Sequence, residues 1–283
     1  MTLNSVNTNM GAMVALQSLN STEASLASTQ KQISTGYRVA DASDDGAAYA
    51  IAQGIRSTVG SLTTANQQLG NVQGLLSTTS SALNNISTTM ASMRNVLVDL
   101  ASSSVTGDTR KEYENQYNTM LSNVQSFVKD ASYEGKTLIG NITGSTGTFG
   151  STSVTRNESG DLYTIATIGG SALYGSINVG TSVLGSATQV QALLTTTGTF
   201  LNIQATVGEG LNAIGNSANY VSNQITYNNT KIDALNSGLG SLVDANLAQE
   251  SAQLTALQIR QQLGTHALSL ANQAPQTLLS LFK

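Results

Sequence analysis

The feature that leaves this chain the fewest options is a seven-residue apolar repeat that occurs twice. From Ala48 every seventh residue is apolar, through Ile55, Leu62, Leu69, Leu76, Leu83, Met90 and Leu97; three residues further on stand Ile51, Thr58, Ala65, Val72, Thr79, Ile86, Met93 and Leu100. Fourteen of these 16 positions are apolar, which predicts a long coiled-coil helix rather than a short amphipathic stripe. A second seam takes in Leu193, Phe200, Val207, Ile214, Val221, Asn228, Leu235 and Leu242, with Val190, Thr197, Gln204, Leu211, Ala218, Ile225, Ile232 and Leu239 beside it, 13 of 16 apolar. Residues 48–100 and 190–242 are each 53 long, roughly 78 Å as helices at about 1.5 Å per residue. Equal rods in one chain favour an intramolecular antiparallel pair over a parallel homodimer.

Between the rods, Thr109-Arg110-Lys111-Glu112 reads as a capping box, and Tyr113, Tyr117, Met120, Val124 and Phe127 form a third stripe that folds back over the first rod. Residues 135–185 hold 11 of the 26 glycines. There Ser153-Val154-Thr155, the turn-like Asn157-Glu158-Ser159-Gly160 and the alternating Leu162, Thr164, Ala166 and Ile168 predict a small β-rich insertion with at least one hairpin. Outside the rods lie two apolar tails with few charges. The first has Ala12, Leu16, Leu19, Leu26 and Ile33 on one stripe; the second spreads Leu247, Leu254, Leu257, Leu263, Leu268, Leu270, Leu278 and Leu281 around a helix. Each tail is a helix with too much apolar surface for a solitary subunit, so the tails are expected to order against other copies of the chain. Contacts that repeat head to tail without closing a ring build a helical filament.

Composition removes most other functions. Ser, Thr, Asn and Gln make up 115 of 283 residues against 28 charged ones, so the polar surface is largely uncharged. A net charge of −4 with no lysine or arginine cluster argues against nucleic acid. Neither tail has the Lys/Arg-rich polar face of a membrane-surface helix, and no apolar run is long enough to span one. There is no cysteine and one histidine, His266, which leaves no thiol chemistry, no cysteine-ligated metal and no imidazole pair for a zinc site. The first ten residues lack the basic start of a cleaved secretory signal. No catalytic, cofactor or metal residue is assigned. Asp44 and Asp45 are adjacent at a helix start, where negative charge suits the helix dipole and two side chains point apart. Gly135-Lys136-Thr137 lacks the glycine a phosphate loop needs five residues earlier, where Asp130 stands, and is a turn after a helix.

Four motifs carry a resemblance. Val6-Asn7-Thr8-Asn9, the run Ser34-Thr35-Gly36-Tyr37-Arg38-Val39-Ala40-Asp41-Ala42-Ser43-Asp44-Asp45-Gly46-Ala47-Ala48, Asp130-Ala131-Ser132-Tyr133-Glu134-Gly135-Lys136-Thr137-Leu138, and Ala271-Asn272-Gln273-Ala274-Pro275-Gln276-Thr277-Leu278-Leu279-Ser280-Leu281 resemble bacterial flagellin in order and spacing. The resemblance covers roughly residues 1–140 and 186–283. It implies a mainly α fold: a long antiparallel coiled-coil rod, paired terminal helices and a small β-rich surface insertion. The implied segments are an inner-tube helix at 1–40, outer-tube helices at 41–138, the insertion at 139–185, a long outer-tube helix at 186–242 and a second inner-tube helix at 243–283.

The same resemblance implies a non-enzymatic subunit of the flagellar filament that polymerises with itself, and with other flagellins where several are present, for swimming motility. It implies unfolded export through the flagellar type III apparatus, a C-terminal export chaperone, hook-associated and cap proteins as neighbours, and a place in the extracellular filament. Val6, Met10, Leu16, Leu19, Leu26, Ile33, Leu254, Leu257, Leu263, Leu270, Leu278 and Leu281 are then the self-assembly residues, and Ser43, Asp44 and Asp45 the spoke between tubes. Ile55, Leu62, Leu69, Leu76, Leu83, Met90, Leu97, Phe200, Val207, Ile214, Val221 and Leu235 form the rod core. Ser92 stands where some flagellins carry an arginine of an immune-receptor patch, of which Arg94 is retained. The alternative is a hook-associated junction protein, which shares the terminal helical plan. A zinc-protease insertion, known in rare flagellins, is disfavoured because residues 135–185 contain no histidine.

Overall fold

The structure, a computed structural model, describes residues 8–281, with side chains described through residue 273. The fold is mainly α. In chain order the elements are α1 (Met10–Thr35), α2 (Gly46–Leu100), α3 (Gly107–Asp130), β1 (Lys136–Thr137), β2 (Thr148–Phe149), β3 (Thr152–Thr155), β4 (Leu162–Ile165), α4 (Gly170–Ile177), α5 (Thr181–Leu184), α6 (Ala187–Leu193), α7 (Thr199–Val243) and α8 (Leu247–Leu281). They form two compact units: residues 59–232, and the two chain ends 1–58 and 233–283.

In the central unit the heptad seams of α2 and α7 face one core. Leu62, Leu69, Leu76, Leu83, Met90 and Leu97 of α2, and Phe200, Val207, Ile214 and Val221 of α7, are all at most 2% exposed. The helices run antiparallel. Asn66 of α2 bonds Asn228 and Asn229 of α7 at 2.8 Å, while Ala101, just past the end of α2, accepts from Gln191 of α6.

α3 returns along α2 and buries Tyr117, Leu121, Val124 and Val128 at alternating spacings of four and three, the contact period of a helix. Its buried face is thus turned slightly from the expected stripe, and Tyr113, Met120 and Phe127 are half-buried at its rim. The expected capping box is not used. α3 starts at Gly107 behind Thr106, whose side chain makes no cap bond. Arg110 points to other work: it donates to the carbonyls of Leu100, Val105 and Leu184, satisfying one of the carbonyls that the end of α2 leaves open.

The second rod is shorter than the periodicity predicts. α7 begins at Thr199 and has 45 residues against 55 in α2, and the first heptad, Val190 and Leu193, belongs to the separate α6. Thr195-Thr196-Thr197 puts three β-branched residues in a row, each a poor helix former. Gly198 then closes a turn onto the Thr195 carbonyl, where a Cβ would lie 2.3 Å from the Leu193 oxygen. The helix breaks here although the apolar pattern runs through.

The insertion holds a two-residue parallel pair, β1 with β2, and an antiparallel hairpin, β3 with β4, in which Thr155 faces Leu162. It also carries α4 and α5, whose Leu173, Ile177 and Leu184 are buried in the central core. The inward phase of β4 differs from the expected one: Leu162 is 63% exposed, while Tyr163 and Ile165 turn inward. Tyr163 stacks on Tyr220 of α7, with ring centroids 4.1 Å apart, and Ile165 is buried. In a strand of period two, anchoring residue 163 excludes 162 and 164 from the same face.

In the terminal unit the first turns of α2 pack on the end of α7 through Ala48, Ala52, Val39 and Val243. The contact follows a spacing of four rather than three, which leaves Ile51 57% exposed and not in the seam. Ile55 and Leu235 are half-buried.

Candidate assembly surface and spoke

α1 and α8 are antiparallel partners, and their polar contacts fix the register. At one end the Asn9 side chain caps α1 by accepting from Ala12, and donates to the Ala271 carbonyl at 2.7 Å. Midway, Leu19 lies over Gly264. At the other end Ala245 donates to the Gly36 carbonyl and Arg38 to that of Val243, closing a short bridge between Tyr37 and Asp244. Between these points the pair buries Leu19, Thr29 and Leu257.

What the pair does not bury is more informative. Met10, Met13, Val14 and Leu16 of α1, and Leu247, Ile259, Leu263 and Leu270 of α8, are each between 47% and 70% exposed. At roughly 100 Å² apiece, these eight side chains leave on the order of 800 Å² of apolar surface uncovered, distributed along both helices. Of the residues expected in the inner tube, Met10, Leu16, Leu263 and Leu270 are on this exposed set. Leu19 and Leu257 are instead spent on the α1–α8 contact, and Leu26, Ile33 and Leu254 are half-buried. Val6 and the side chains of Leu278 and Leu281 lie outside the described residues.

The connection from α1 to α2 is a small charged knot. α1 ends at Gly36, whose φ of 74° is the left-handed cap that glycine takes without strain, and its N–H returns to the Gln32 carbonyl. Lys31 bridges two carboxylates, Asp41 at 2.7 Å and Asp44 at 2.8 Å. Asp44 also accepts from the Ala40 and Asp41 N–H groups, and Ser43 donates to Asp41. Asp45 accepts from Ala47 and Ala48 and so caps α2. The Arg38 guanidinium reaches the Leu242 carbonyl at 2.6 Å. The Lys31 ammonium beside them holds the Asp41 and Asp44 carboxyls below their ordinary range, and those carboxylates raise Lys31 in turn.

Sequence reasoning singled out Ser43, Asp44 and Asp45 but not Lys31, Arg38 or Asp41. Scarcity was the usable signal, because five of the chain's 28 charged residues fall within residues 31–45. Asp44 and Asp45 serve a salt bridge and a helix cap, and His266 is exposed on α8. Among the described residues no group of His, Cys, Asp and Glu is placed to hold a metal ion, and no helix is long and apolar enough to cross a membrane.

The model of the bacterial flagellin N-terminal helical region matches residues 6–143, and that of the C-terminal helical region matches residues 203–282. This chain belongs to the bacterial flagellin family. Flagellin FljM of Caulobacter vibrioides is 31% identical over 287 residues, covering all of both chains. A flagellin of Brucella melitensis is 31% identical over 285 residues, 99% of each. A flagellin of Listeria monocytogenes is 25% identical across 98% of each. Among solved structures, a flagellar hook-associated protein from Vibrio parahaemolyticus aligns with a TM-score of 0.58 at 17% identity, over 71% of this chain and all of that one, a likeness of fold. The family models meet the chain on either side of residues 144–202, a stretch that holds most of this flagellin's insertion together with α6 and the start of α7.

Proposed function

We propose that this flagellin polymerises through α1 and α8, and that the exposed apolar residues of the pair are the contacts made between copies in the filament interior. The observation that carries the reading is that band of half-exposed Met, Leu, Ile and Val on two helices already paired with each other. Apolar side chains exposed along both helices favour burial against an equally apolar partner, and the nearest such partner is another copy. The Lys31, Asp41 and Asp44 knot, with Ser43 and Asp45, acts as the spoke between inner helices and outer rod. The subunit reaches its place unfolded, through the flagellar export apparatus, and is met there by cap and hook-associated proteins. Its role is mechanical rather than catalytic.

The test is truncation. Removing residues 1–33 or 254–283 leaves a soluble protein with the helical signal of the central unit and no ability to elongate filament seeds. Filaments of normal diameter from either truncation would place the assembly contacts elsewhere. Full-length protein that never elongates seeds would favour the junction-protein alternative.

A further inference from the structure

The central seam contains two fully buried polar side chains: Thr79 of α2, whose hydroxyl donates to the Leu75 carbonyl of its own helix, and one amide that bonds across to other elements. Asn228, fully buried, occupies a seam position of α7. Its amide is satisfied on both sides: the nitrogen donates to Asn66 Oδ1 at 2.8 Å and to the Arg156 carbonyl at 3.0 Å, and the oxygen accepts from Gln224 at 3.0 Å. Asn66 in turn donates to Asn229 at 2.8 Å. The third wall of this amide layer is the tip of the β3–β4 hairpin, which is tied to α7 by side-chain contacts. Tyr163 stacks on Tyr220 and donates to Ser217, Arg156 donates to Tyr220, and Glu158 pairs with Lys231.

The apolar seam by itself does not distinguish registers. Leu62, Leu69, Leu76, Leu83, Met90 and Leu97 are nearly equivalent knobs, so sliding α7 by one heptad along α2 exchanges one leucine for another. Such a slide replaces Asn66 opposite Asn228 by Val59, which offers no partner, or by Gln73, which is one methylene longer. A buried amide without its partner is costly, whereas a leucine in a neighbouring hole is not. We propose that Asn228, clasped between Asn66 and the hairpin tip, is the register-determining residue of the rod, and that the insertion contributes the wall that fixes it. The surface insertion is then a working part of the rod.

The chain has no cysteine, so spin labels can be placed without background. Labels at Ser77→Cys on α2 and Ser222→Cys on α7, both exposed, report the relative slide of the two helices by pulsed dipolar spectroscopy on the full-length subunit. The parent protein gives one narrow distance. Asn228→Leu keeps its helical circular dichroism and melting temperature but gives a second population, displaced axially by about 10 Å, one heptad at about 1.5 Å per residue. A single unchanged distance in folded Asn228→Leu overturns the proposal. If that variant fails to fold, Asn66→Ala, at a half-buried position, decides: a second population supports the assignment, and one narrow distance ends it.

Discussion

Truncating Leu263 to alanine is the sharpest probe of the assembly surface, because the side chain is 61% exposed in the subunit and sits on the helix pair assigned to self-contact. Leu263 presents roughly 110 Å² to solvent, of which truncation removes about two thirds; at about 25 cal/mol per Å² the lost burial is roughly 2 kcal/mol per subunit. Every 1.4 kcal/mol is about tenfold in an equilibrium constant, so the concentration of free subunit left beside filaments should rise roughly 20–30-fold. The assay is sedimentation of seeded filaments at steady state, with the supernatant subunit measured over a series of total concentrations. Because Leu263 is not part of the α1–α8 seam, the variant's subunit melting curve should match the parent's. Leu257→Ala is the contrast: that residue is 6% exposed within the pair, so its loss should loosen the terminal unit in the isolated subunit as well. An unchanged free-subunit concentration for Leu263→Ala, with filaments of normal yield, would refute the reasoning.

Three other outcomes follow from the geometry. Tyr117 is fully buried and donates to the Ile177 carbonyl at 2.7 Å, tying α3 to α4; Tyr117→Phe should cost about 0.5–1.5 kcal/mol in denaturant unfolding, the loss of one buried hydrogen bond to a carbonyl that still accepts from the Val179 N–H. Burial also pushes that phenol above its ordinary range, so one tyrosine should remain un-ionised in an ultraviolet titration of the folded subunit at a pH where the exposed ones have ionised. The carboxyls of Asp41 and Asp44 are held down in the folded state, so their contribution is complete above the ordinary aspartate range and is lost as pH falls through the depressed values. Amide exchange in residues 36–45 should therefore accelerate, relative to the intrinsic rate, only below about pH 4, and Lys31→Met should abolish that pH dependence. The same acceleration in Lys31→Met would mean that the knot does not hold the connection.

Much of the architecture is legible in local pattern because each of its elements is a repeat with a period. The seam of α2 is written every seven residues, and burial of Leu62 through Leu97 follows from it. The hairpin is visible from Asn157 to Gly160, the turn residues that join two strands. Where the pattern misleads, a contact from elsewhere in the chain overrides it. Val190 and Leu193 continue the heptad on paper, yet Gly198 folds against the Leu193 carbonyl and the helix restarts. Leu162 looks like the inward residue of β4 until Tyr163 meets Tyr220, 57 positions away in the chain. The Thr109 capping box is sound as local chemistry, but Arg110 is drawn to carbonyls of three other segments.

By itself the sequence determined that this chain is two long amphipathic rods with greasy ends and almost no charge, because periodicity and composition act through neighbours a few residues apart. Only the tertiary structure decided which greasy residues are used up within the subunit and which remain for a partner: Leu19 and Leu257 are buried within the α1–α8 pair, while Leu263 and Leu270 face solvent. The physical reason is that a helix with leucines all around it has no preferred face until another helix covers one. It was likewise the fold that brought Asn66, Arg156 and Asn228 into one layer, since a hydrogen bond between residues up to 162 positions apart leaves no trace in local spacing.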